Sequence, residues 1–351
     1  MDKKIGDRNY YYYSGVVHIH TTASDGTKGI EEIIATGKEV GLDFMIFTDH
    51  MTLEHRENGH EGWYGKTMVI IGYEHNDAAD KNHYLLFDAP RVYPASLTAR
   101  EYVAAAATDK VLGILAHPDE NRNRMGKYPP YPWTEWKVDG FQGMELWNQM
   151  SEWMENLTPW NKVAMAFSPR KSMVGPTQRL LEIWDELNLK RRCVGLASVD
   201  AHAFPIKVGP LTVRIFPYKV HFKSLRTHII LSEPLAEDFE KAKEQLFDAI
   251  RQCRVFFSNM RWGVADDFEF CAENHTGRVI AGGTLGFDDD TRLRVKLPER
   301  ATLKIIADGQ KVLEAVTDKL EYTVAKKGIY RVEAWKKKRG WIFSNHIRIG
   351  I

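Results

Sequence analysis

Side chains that could bind metal ions are concentrated in the first 202 residues of the chain. Nine of the 13 histidines lie there, and five short apolar runs each end in an imidazole or a carboxylate. The residues at these ends are His18 and His20, Asp49 and His50, Glu74, His117, and Asp200 and His202. Neutral imidazoles suit Zn, Fe and Mn, and carboxylates suit the harder ions of that range. The pattern therefore predicts a transition-metal site with more than one ion.

Such a site would favour hydrolysis. Two ions bridged by a carboxylate or a hydroxide lie about 3.5–4 Å apart and lower the pKa of bound water toward neutrality. The pair then supplies a nucleophile and stabilises developing charge. Cations also relieve the repulsion among carboxylates that are gathered in one cleft.

The other histidines lack this placement. We interpret them as surface, loop or structural residues: His55, His60, His75, His221, His228, His275 and His346.

Strands separated by helices must position these side chains. Short apolar runs predict buried strands at 16–17, 44–47, 68–71, 84–87, 111–115 and 194–197. Helical spacing of apolar residues lies between them, at 30–40 with Thr27 as a candidate N-cap, 97–108 and 176–189. The alternation predicts an α/β fold with a parallel sheet, open or closed into a barrel, in which the C-terminal strand ends meet on one face. His18 and His20 would point to the same side of their strand.

The pattern changes after His202. A helix is predicted over 235–253, and short strands with Gly-containing turns follow it, which indicates an antiparallel β-sandwich of about 85 residues. The basic run Lys336–Arg339 is predicted to be a hairpin turn. We expect two domains: residues 1–262, with a tryptophan-rich insertion at about 119–190, and residues 263–351.

Composition excludes several classes of protein. The 351 residues carry 48 Lys and Arg against 47 Asp and Glu, so the net charge of +1 gives no overall attraction to nucleic acid or to an acidic membrane. No run approaches the roughly 18 apolar residues of a membrane span, and the first residues lack the apolar core of a secretory signal. Three widely spaced cysteines argue against a disulfide framework. We expect a cytoplasmic protein that acts on a small molecule and could form a homo-oligomer.

The ordered motifs of the first 205 residues resemble those of the PHP (polymerase and histidinol phosphatase) metallohydrolases. They are His18-Ile-His20-Thr-Thr-Ala-Ser-Asp25-Gly26, Thr48-Asp49-His50, Gly72-Tyr-Glu74, His83-Tyr-Leu-Leu, Ala116-His117-Pro118 and Asp200-Ala-His202. The resemblance implies a distorted, TIM-like barrel of seven β-strands with helices around it. It also implies two or three divalent ions (Zn, Mn or Fe) at the C-terminal strand ends.

The resemblance further implies a ligand set. A first ion would be held by His18, His20, Glu74 and Asp200, a second by His83 and His117 with Glu74 as the bridge, and a third by Asp25, His50 and His202. The family often carries His where Asp25 stands, so a harder ion or a different occupancy is expected at the third position. A metal-bridging hydroxide would attack phosphorus in line, with Glu74, Asp200 and His202 as the catalytic residues. Asp49 is expected either to orient a metal-binding imidazole or to cap the following loop.

The C-terminal segments Phe257-Ser258-Asn259 and Trp341-Ile-Phe-Ser-Asn345 resemble those of the carbaryl-hydrolase-like branch of metallohydrolases. Members of that branch are associated with ester or carbamate cleavage as well as phosphoester hydrolysis. The leading hypothesis is a metal-dependent phosphoesterase acting on a small phosphate ester. A carboxylester or carbamate hydrolase on the same ions and a non-catalytic metal-binding accessory module remain alternatives.

Substrate contacts are less well defined by the sequence. Six tryptophans between positions 131 and 185 would form either an aromatic wall over the metals or the core of the insertion: Trp133, Trp136, Trp147, Trp153, Trp160 and Trp184. Five loop cations are candidates to meet a substrate phosphate: Arg56, Lys66, Arg122, Arg124 and Lys127.

Overall fold

A computed structural model describes residues 4–5, 10–122, 129–208, 211–214 and 216–351. Arg124 and Lys127 lie outside these residues. Within them the chain forms the α-helices α1 (Ile30–Val40), α2 (Glu54–Glu57), α3 (Ala99–Thr108), α4 (Gln149–Asn156), α5 (Lys162–Phe167), α6 (Gln178–Lys190), α7 (Tyr218–His221) and α8 (Phe239–Arg251). Short 3-10 helices span Pro169–Lys171 and Met260–Trp262. Among the described helices, none has the length and apolar character needed to cross a membrane.

The strands are mostly short in the first half of the chain and longer near its end. They are β1 (Lys4–Ile5), β2 (Tyr10–Ile19), β3 (Phe44–Phe47), β4 (Gly62–Tyr64), β5 (Thr67–Ile71), β6 (Tyr73–His75), β7 (Tyr84–Phe87), β8 (Leu112–Leu115), β9 (Gly143–Asn148), β10 (Val194–Ser198), β11 (Pro205–Val208), β12 (Leu211–Arg214), β13 (Leu225–Leu231), β14 (Val255–Asn259), β15 (Glu269–Asn274), β16 (Gly277–Ile280), β17 (Thr284–Leu285), β18 (Arg292–Ala307), β19 (Gln310–Thr323), β20 (Gly328–Lys336), β21 (Arg339–Ser344) and β22 (Ile347–Ile349).

The chain divides into two compact units. The N-terminal unit comprises Ser14–Met173 and Ala197–Arg226, and the C-terminal unit comprises Val174–Leu196 and Thr227–Ile351 with the described residues before Ser14. The predicted border between residues 262 and 263 falls inside the C-terminal unit. The division into domains at 1–262 and 263–351 stays a prediction.

Mixed sheets form the core of the N-terminal unit. Strands β2, β3 and β5 are parallel, with β4 antiparallel to β5. In a second sheet β8 and β9 are parallel, but β7 is antiparallel to both β6 and β8. Every residue of β3 and β5 is buried, as expected for strands covered on both faces. The parallel sheet predicted from the alternation of strands and helices is therefore present only in part, because the short antiparallel strands β4, β6 and β7 lie at the edges of the parallel ones.

The sheets of this unit stop at the candidate site. His18, His117 and Asp200 have φ angles of 71°, 29° and 48°, in the left-handed region that non-glycine residues rarely adopt. His18 is also the extra residue of a bulge, because Val17 pairs with Ile46 and Ile19 pairs with Phe47. A regular ladder cannot continue through such residues. The described residues form no closed barrel, and the predicted seven-stranded barrel is not confirmed.

The first helix of this unit begins later than its predicted cap. α1 buries Ile30, Ile33 and Ile34, and its N-cap is Gly29 rather than Thr27. The hydroxyl of Thr27 instead donates to the carbonyls of His202 and Ala203 at 3.0 and 3.1 Å. The expectation for Thr27 was wrong because this hydroxyl fixes the loop that follows β10.

Antiparallel strands dominate the C-terminal unit. The long strand β18 pairs through its first half with β15 and through its second half with β20, while β19 follows it along its length. The pairing register with β19 shifts between Lys296 and Ala301. The strands belong to one connected sheet in the described residues, so the predicted two-sheet sandwich is not confirmed. Lys337 and Lys338, with φ angles of 51° and 61°, form the hairpin turn between β20 and β21.

Candidate metal centre

All nine side chains predicted to bind metal ions lie together in the N-terminal unit. They form four overlapping groups, each with nitrogen and oxygen atoms within 4.8 Å of one another. The groups are His20, Asp25, His50 and His202; His18, His20 and Glu74; His18, His117 and Asp200; and His50, Glu74 and His83. The convergence of strand ends expected from the sequence is therefore present.

Glu74 occupies the middle of this cluster. It lies in β6, where a backbone bridge to His50 aligns β6 with the end of β3. Its Oε1 lies 2.7 Å from His83 Nδ1 and 3.2 Å from His117 Nε2. Its Oε2 lies 2.9 Å from His18 Nε2, with two further ring nitrogens nearby. The two oxygens of one buried carboxylate thus face two different sets of imidazoles.

Backbone hydrogen bonds bring the last motif beside the first. The amide of Ala201 donates to the carbonyl of His18, and the amide of His20 donates to the carbonyl of Ala201, both at 3.1 Å. As a result Asp200 Oδ1 lies 3.5 Å from Nε2 of His18 and from Nε2 of His20, and 3.3 Å from His202 Nδ1. Residues separated by about 180 positions thus share one site.

Asp25 closes the outer side of the cluster. Its Oδ1 lies 3.1 Å from His202 Nε2, 3.6 Å from His20 Nδ1 and 3.8 Å from His50 Nε2. Its side chain is 48% exposed, whereas the imidazole of His20 is fully buried. This group is the part of the cluster most open to solvent.

Carboxylates and imidazoles of the cluster shift one another's pKa. Burial alone would raise the pKa of Glu74 and of Asp200, but the surrounding imidazoles hold both well below their usual range. Burial alone would lower the pKa of His20 and of His83, yet the neighbouring carboxylates raise these values to about 10 and about 9. The field that favours a protonated imidazole also favours a divalent cation at the same place.

Several ring nitrogens of the candidate ligands have no hydrogen-bond partner, which is a property expected of a metal site. His20 Nε2 and His50 Nδ1 are buried without a hydrogen-bond partner, although they lie 3.2 and 3.5 Å from Glu74 Oε2. His117 Nδ1 is also buried and unpaired. Close contact without hydrogen-bond geometry is expected where several lone pairs converge on one cation. The donor set of imidazoles and carboxylates fits Zn, Mn or Fe.

Glu145 is a site residue that the sequence did not reveal. It is buried in β9, where its Oε1 lies 2.7 Å from His18 Nδ1 and its Oε2 accepts from the amide of His117 at 2.8 Å. A metal-binding imidazole commonly donates its other N–H to such a carboxylate, which leaves Nε2 free for the ion. The signal in the sequence is a lone carboxylate within the apolar run Met144-Glu145-Leu146-Trp147.

Asp49 holds a loop. Its carboxylate accepts hydrogen bonds from the amide and hydroxyl of Thr21 at 2.7 and 2.9 Å, and from the hydroxyl of Ser24 at 2.6 Å. These bonds fix the turn that carries Asp25. Asp49 was expected either to orient a metal-binding imidazole or to cap the loop that follows it, but its carboxylate holds the earlier turn instead, and Glu145 is the carboxylate that contacts an imidazole of the site.

A small cavity of about 160 Å³ opens onto the cluster. Besides the candidate ligands it is lined by Arg122, Tyr131, Met150, Met154 and Phe204. The ring of Tyr131 stacks on His83 with centroids 4.9 Å apart, and Phe204 stacks on His202 at 4.7 Å. Two aromatic rings and two methionines therefore form the apolar part of the wall.

The tryptophans mostly pack in the core. Trp133, Trp147 and Trp153 are buried, and none of them lines the cavity, whereas Trp160 is 97% exposed. Trp184 is buried in the C-terminal unit. Core packing is thus the better account of the buried tryptophans. Of the loop cations within the described residues, Arg122 lines the cavity and Arg56 and Lys66 do not.

No protein-family model and no curated protein sequence matches this chain. A two-domain protein of Bacteroides vulgatus, described as containing a predicted PHP-like metal-dependent phosphoesterase, is similar in structure with a TM-score of 0.47 and 12% identity, over 99% of this chain and 98% of that chain. A chain of Bifidobacterium adolescentis, described as a candidate metal-dependent phosphoesterase, has a TM-score of 0.34 and 14% identity, over 57% of this chain and 92% of that chain. Since both TM-scores are below 0.5, neither likeness assigns a function to this chain.

Proposed function

We propose that this chain is a metal-dependent hydrolase that cleaves a phosphoester bond of a small molecule at a site of two or three divalent ions. The observation that carries the proposal is Glu74, whose two oxygens face separate sets of imidazoles in a buried cluster. A carboxylate in this position is suited to bridge two ions.

The proposed ligand sets follow the geometry of Glu74. His18, His20 and Asp200 would hold one ion on the Oε2 side, and His83 and His117 a second ion on the Oε1 side. Asp25, His50 and His202 would hold a third on the outer side, a set whose ligand atoms also lie close to His20.

Bound divalent ions lower the pKa of water and stabilise the charge that develops on a phosphoryl group. The chain's own residues prepare for this chemistry. Glu145 fixes the orientation of His18, Asp49 fixes the turn that carries Asp25, and Tyr131 and Phe204 stack on imidazole faces.

The proposal is tested with purified protein reconstituted in turn with Mn, Zn and Fe. Elemental analysis should find at least two ions per chain, and p-nitrophenyl phosphate or bis-p-nitrophenyl phosphate should be hydrolysed only by the metal-loaded protein. Metal-loaded protein that hydrolyses neither compound would contradict the proposal. Less than one ion per chain after reconstitution would instead favour a non-catalytic accessory module.

A second candidate function is hydrolysis of a carboxylester or carbamate on the same ions. The apolar wall of Met150, Met154 and Phe204 favours it, since such a surface suits an uncharged substrate. Turnover of a naphthyl ester or carbamate, without turnover of phosphate esters, would select this function.

A further inference from the structure

Arg122 is a cation at the wall of the cavity, within the N-terminal unit. Its side chain is only 8% exposed, and its Nε has no hydrogen-bond partner. Nη2 donates to Oε1 of Glu120, which is itself fully buried. A guanidinium has five N–H donors. A buried N–H without an acceptor is unfavourable, so the placement of Arg122 indicates that a ligand supplies an acceptor.

Glu120 holds this guanidinium in place. Its Oε1 accepts from the hydroxyl of Ser151 at 2.6 Å, and its Oε2 accepts from the amide of Tyr131 at 2.7 Å. Glu120 is thereby anchored to α4 and to the segment that carries Tyr131, two parts of the cavity wall. Arg122 is therefore oriented in advance, which lowers the entropy lost when it binds a ligand.

The surrounding charges indicate an anionic ligand. Glu120 compensates the charge of Arg122, and the two or three divalent ions proposed to be held by other lining residues would make this part of the cavity positive, which favours an anion. Guanidinium groups match the oxygens of phosphate through two parallel N–H bonds. A phosphomonoester has three non-bridging oxygens, enough to contact both the ions and Arg122, whereas a diester has two.

The size of the cavity favours the same substrate. A volume of about 160 Å³ is below the roughly 300–1,000 Å³ of sites that enclose a drug-sized ligand. It suits a phosphoryl group with the first atoms of its alcohol, which would contact Met150, Met154 and Phe204. The second ester group of a diester would compete for this space.

We propose that Arg122 binds the phosphoryl oxygens of a phosphomonoester and gives the enzyme a preference for monoesters over diesters, with Glu120 as the residue that positions it. This inference rests on the function proposed above and names its substrate class.

The test compares wild type with Arg122→Gln, Arg122→Lys and Glu120→Gln. Arg56→Gln is the matched control, since Arg56 is an arginine of the same unit that does not line the cavity. Metal content is measured by elemental analysis, binding of inorganic phosphate by calorimetry, and kcat and KM with p-nitrophenyl phosphate and bis-p-nitrophenyl phosphate.

We expect Arg122→Gln to weaken phosphate binding and to raise KM for the monoester by about 10- to 100-fold, the loss expected for hydrogen bonds to a charged group. KM for the diester should change less, so that the preference for the monoester narrows. Arg122→Lys should be intermediate because it keeps the charge without the paired donors. Glu120→Gln should raise KM for the monoester with little change in kcat, and metal content should be unchanged throughout.

Phosphate binding by Arg122→Gln equal to that of Arg56→Gln, with metals intact and with monoester turnover by the wild type, would overturn this inference and leave the proposed function standing. Metal-loaded wild type that turns over no phosphate ester would overturn the proposed function instead. If circular dichroism shows that Arg122→Gln does not fold, Arg122→Lys decides: phosphate binding at least about 5-fold weaker supports the role, and unchanged binding overturns it.

Discussion

Two buried clusters of histidine and carboxylate, one in each unit, differ in how their charges are compensated. In the C-terminal unit, Arg331 donates two hydrogen bonds to Asp185 at 2.7 and 2.8 Å and one to Glu333 at 2.6 Å, while His346 Nε2 lies 2.6 Å from Asp185. Arg331 is only 2% exposed. This cluster contains its own cation.

The cluster of the N-terminal unit lacks such a partner. Within the part of the chain that the structure describes, no Lys or Arg forms an ion pair with Glu74, Asp200 or Asp25. Their ionisable partners are imidazoles, and Asn148 and Ser24 donate to Asp200 and Asp25. A buried carboxylate is unfavourable without a compensating positive charge. The comparison teaches that buried histidines and carboxylates stabilise the fold where an arginine neutralises the carboxylates. The same residue types suit metal binding where no arginine or lysine is paired with them.

The largest effect is expected from Glu74→Gln. This change removes the proposed bridge, so the protein should lose bound metal, and kcat/KM for p-nitrophenyl phosphate should fall by at least about 1,000-fold, since metal ions contribute several kcal/mol to transition-state stabilisation. His275→Gln is the control. His275 belongs to an exposed group with Asp288 and Asp290 in the C-terminal unit, and its loss should leave metal-dependent activity unchanged.

Chelation gives a second measure of the same difference. Ions that bind only the folded state stabilise it, so a chelator should lower the melting temperature of the wild type and have little effect on Glu74→Gln. If a chelator lowered the melting temperatures of wild type and Glu74→Gln equally, the cluster around Glu74 would not be the site of the stabilising ions, and the contrast with the C-terminal cluster would fail.

Asp185→Asn should break the cluster that contains its own cation. The change leaves the buried Arg331 with Glu333 as its remaining carboxylate partner and should lower the free energy of unfolding by about 3 kcal/mol, measured by urea denaturation. Metal content and KM should be unchanged in the protein that remains folded. Loss of bound metal from folded Asp185→Asn would show that the two clusters are coupled.

Glu145→Gln should have a moderate effect. Loss of the carboxylate that orients a metal-binding imidazole typically weakens metal affinity by about 10- to 100-fold, and the free energy of unfolding of the metal-free protein should change much less. Competition with a chromophoric chelator measures the affinity. Trp147 lies two residues after Glu145 in β9, and its indole N–H donates to Glu152. Trp147→Phe is therefore the comparison variant and should retain wild-type metal affinity.

The smallest effect concerns the pH dependence of the free energy of unfolding. Glu155 in the N-terminal unit and Asp185 in the C-terminal unit should change it in opposite directions. Burial and the nearby Glu120, Asp119 and Glu152 raise the pKa of Glu155 to about 7. The folded state holds the proton of Glu155 more tightly than the unfolded state does. The contribution of this protonated carboxyl to the free energy of unfolding is therefore fully present below the ordinary pKa of 4.5 and is lost as the pH rises through about 7. Glu155→Gln should therefore be more stable than wild type at pH 8, by no more than about 1 kcal/mol for a partly exposed group.

Asp185 provides the opposite case. Burial would raise its pKa, but Arg331 and His346 lower it to about 2. Its contribution to stability is present above the ordinary pKa of 3.8 and is lost as the pH falls through about 2. Urea denaturation across the pH range should show wild type losing its advantage over Asp185→Asn in acid, and a gap that does not change with pH would contradict this account.

Much of the site could be predicted because its residues follow buried strands. The pairs His18 and His20, and Asp200 and His202, lie next to apolar runs, and the ends of neighbouring parallel strands meet in space. His83 was recognised through family resemblance, because it precedes a strand rather than following one. Glu145 was missed because it lies inside β9, where the apolar neighbours conceal its role.

The fold was harder to predict than the site. Helix α8 begins and ends within the predicted range 235–253, because a strongly amphipathic pattern fixes it locally. Sheet closure depends instead on pairing between distant strands and on the bulge at His18, which no local pattern marks. In the C-terminal unit β18 continues through Pro298 for 16 residues, longer than the short strands expected there, and its two halves pair with different neighbours.

At His18, His117 and Asp200, whose backbone is left-handed, folding and metal binding favour different residue types. For folding alone, such conformations are tolerated best by Gly, Asn and Asp and least by β-branched residues, at a difference of roughly 1–2 kcal/mol per position. For metal binding, imidazole or carboxylate is required whatever the backbone prefers. If the proposed metal site lost its function, substitution to glycine or asparagine would be favoured at positions 18 and 117, so these two positions would record that loss in related sequences.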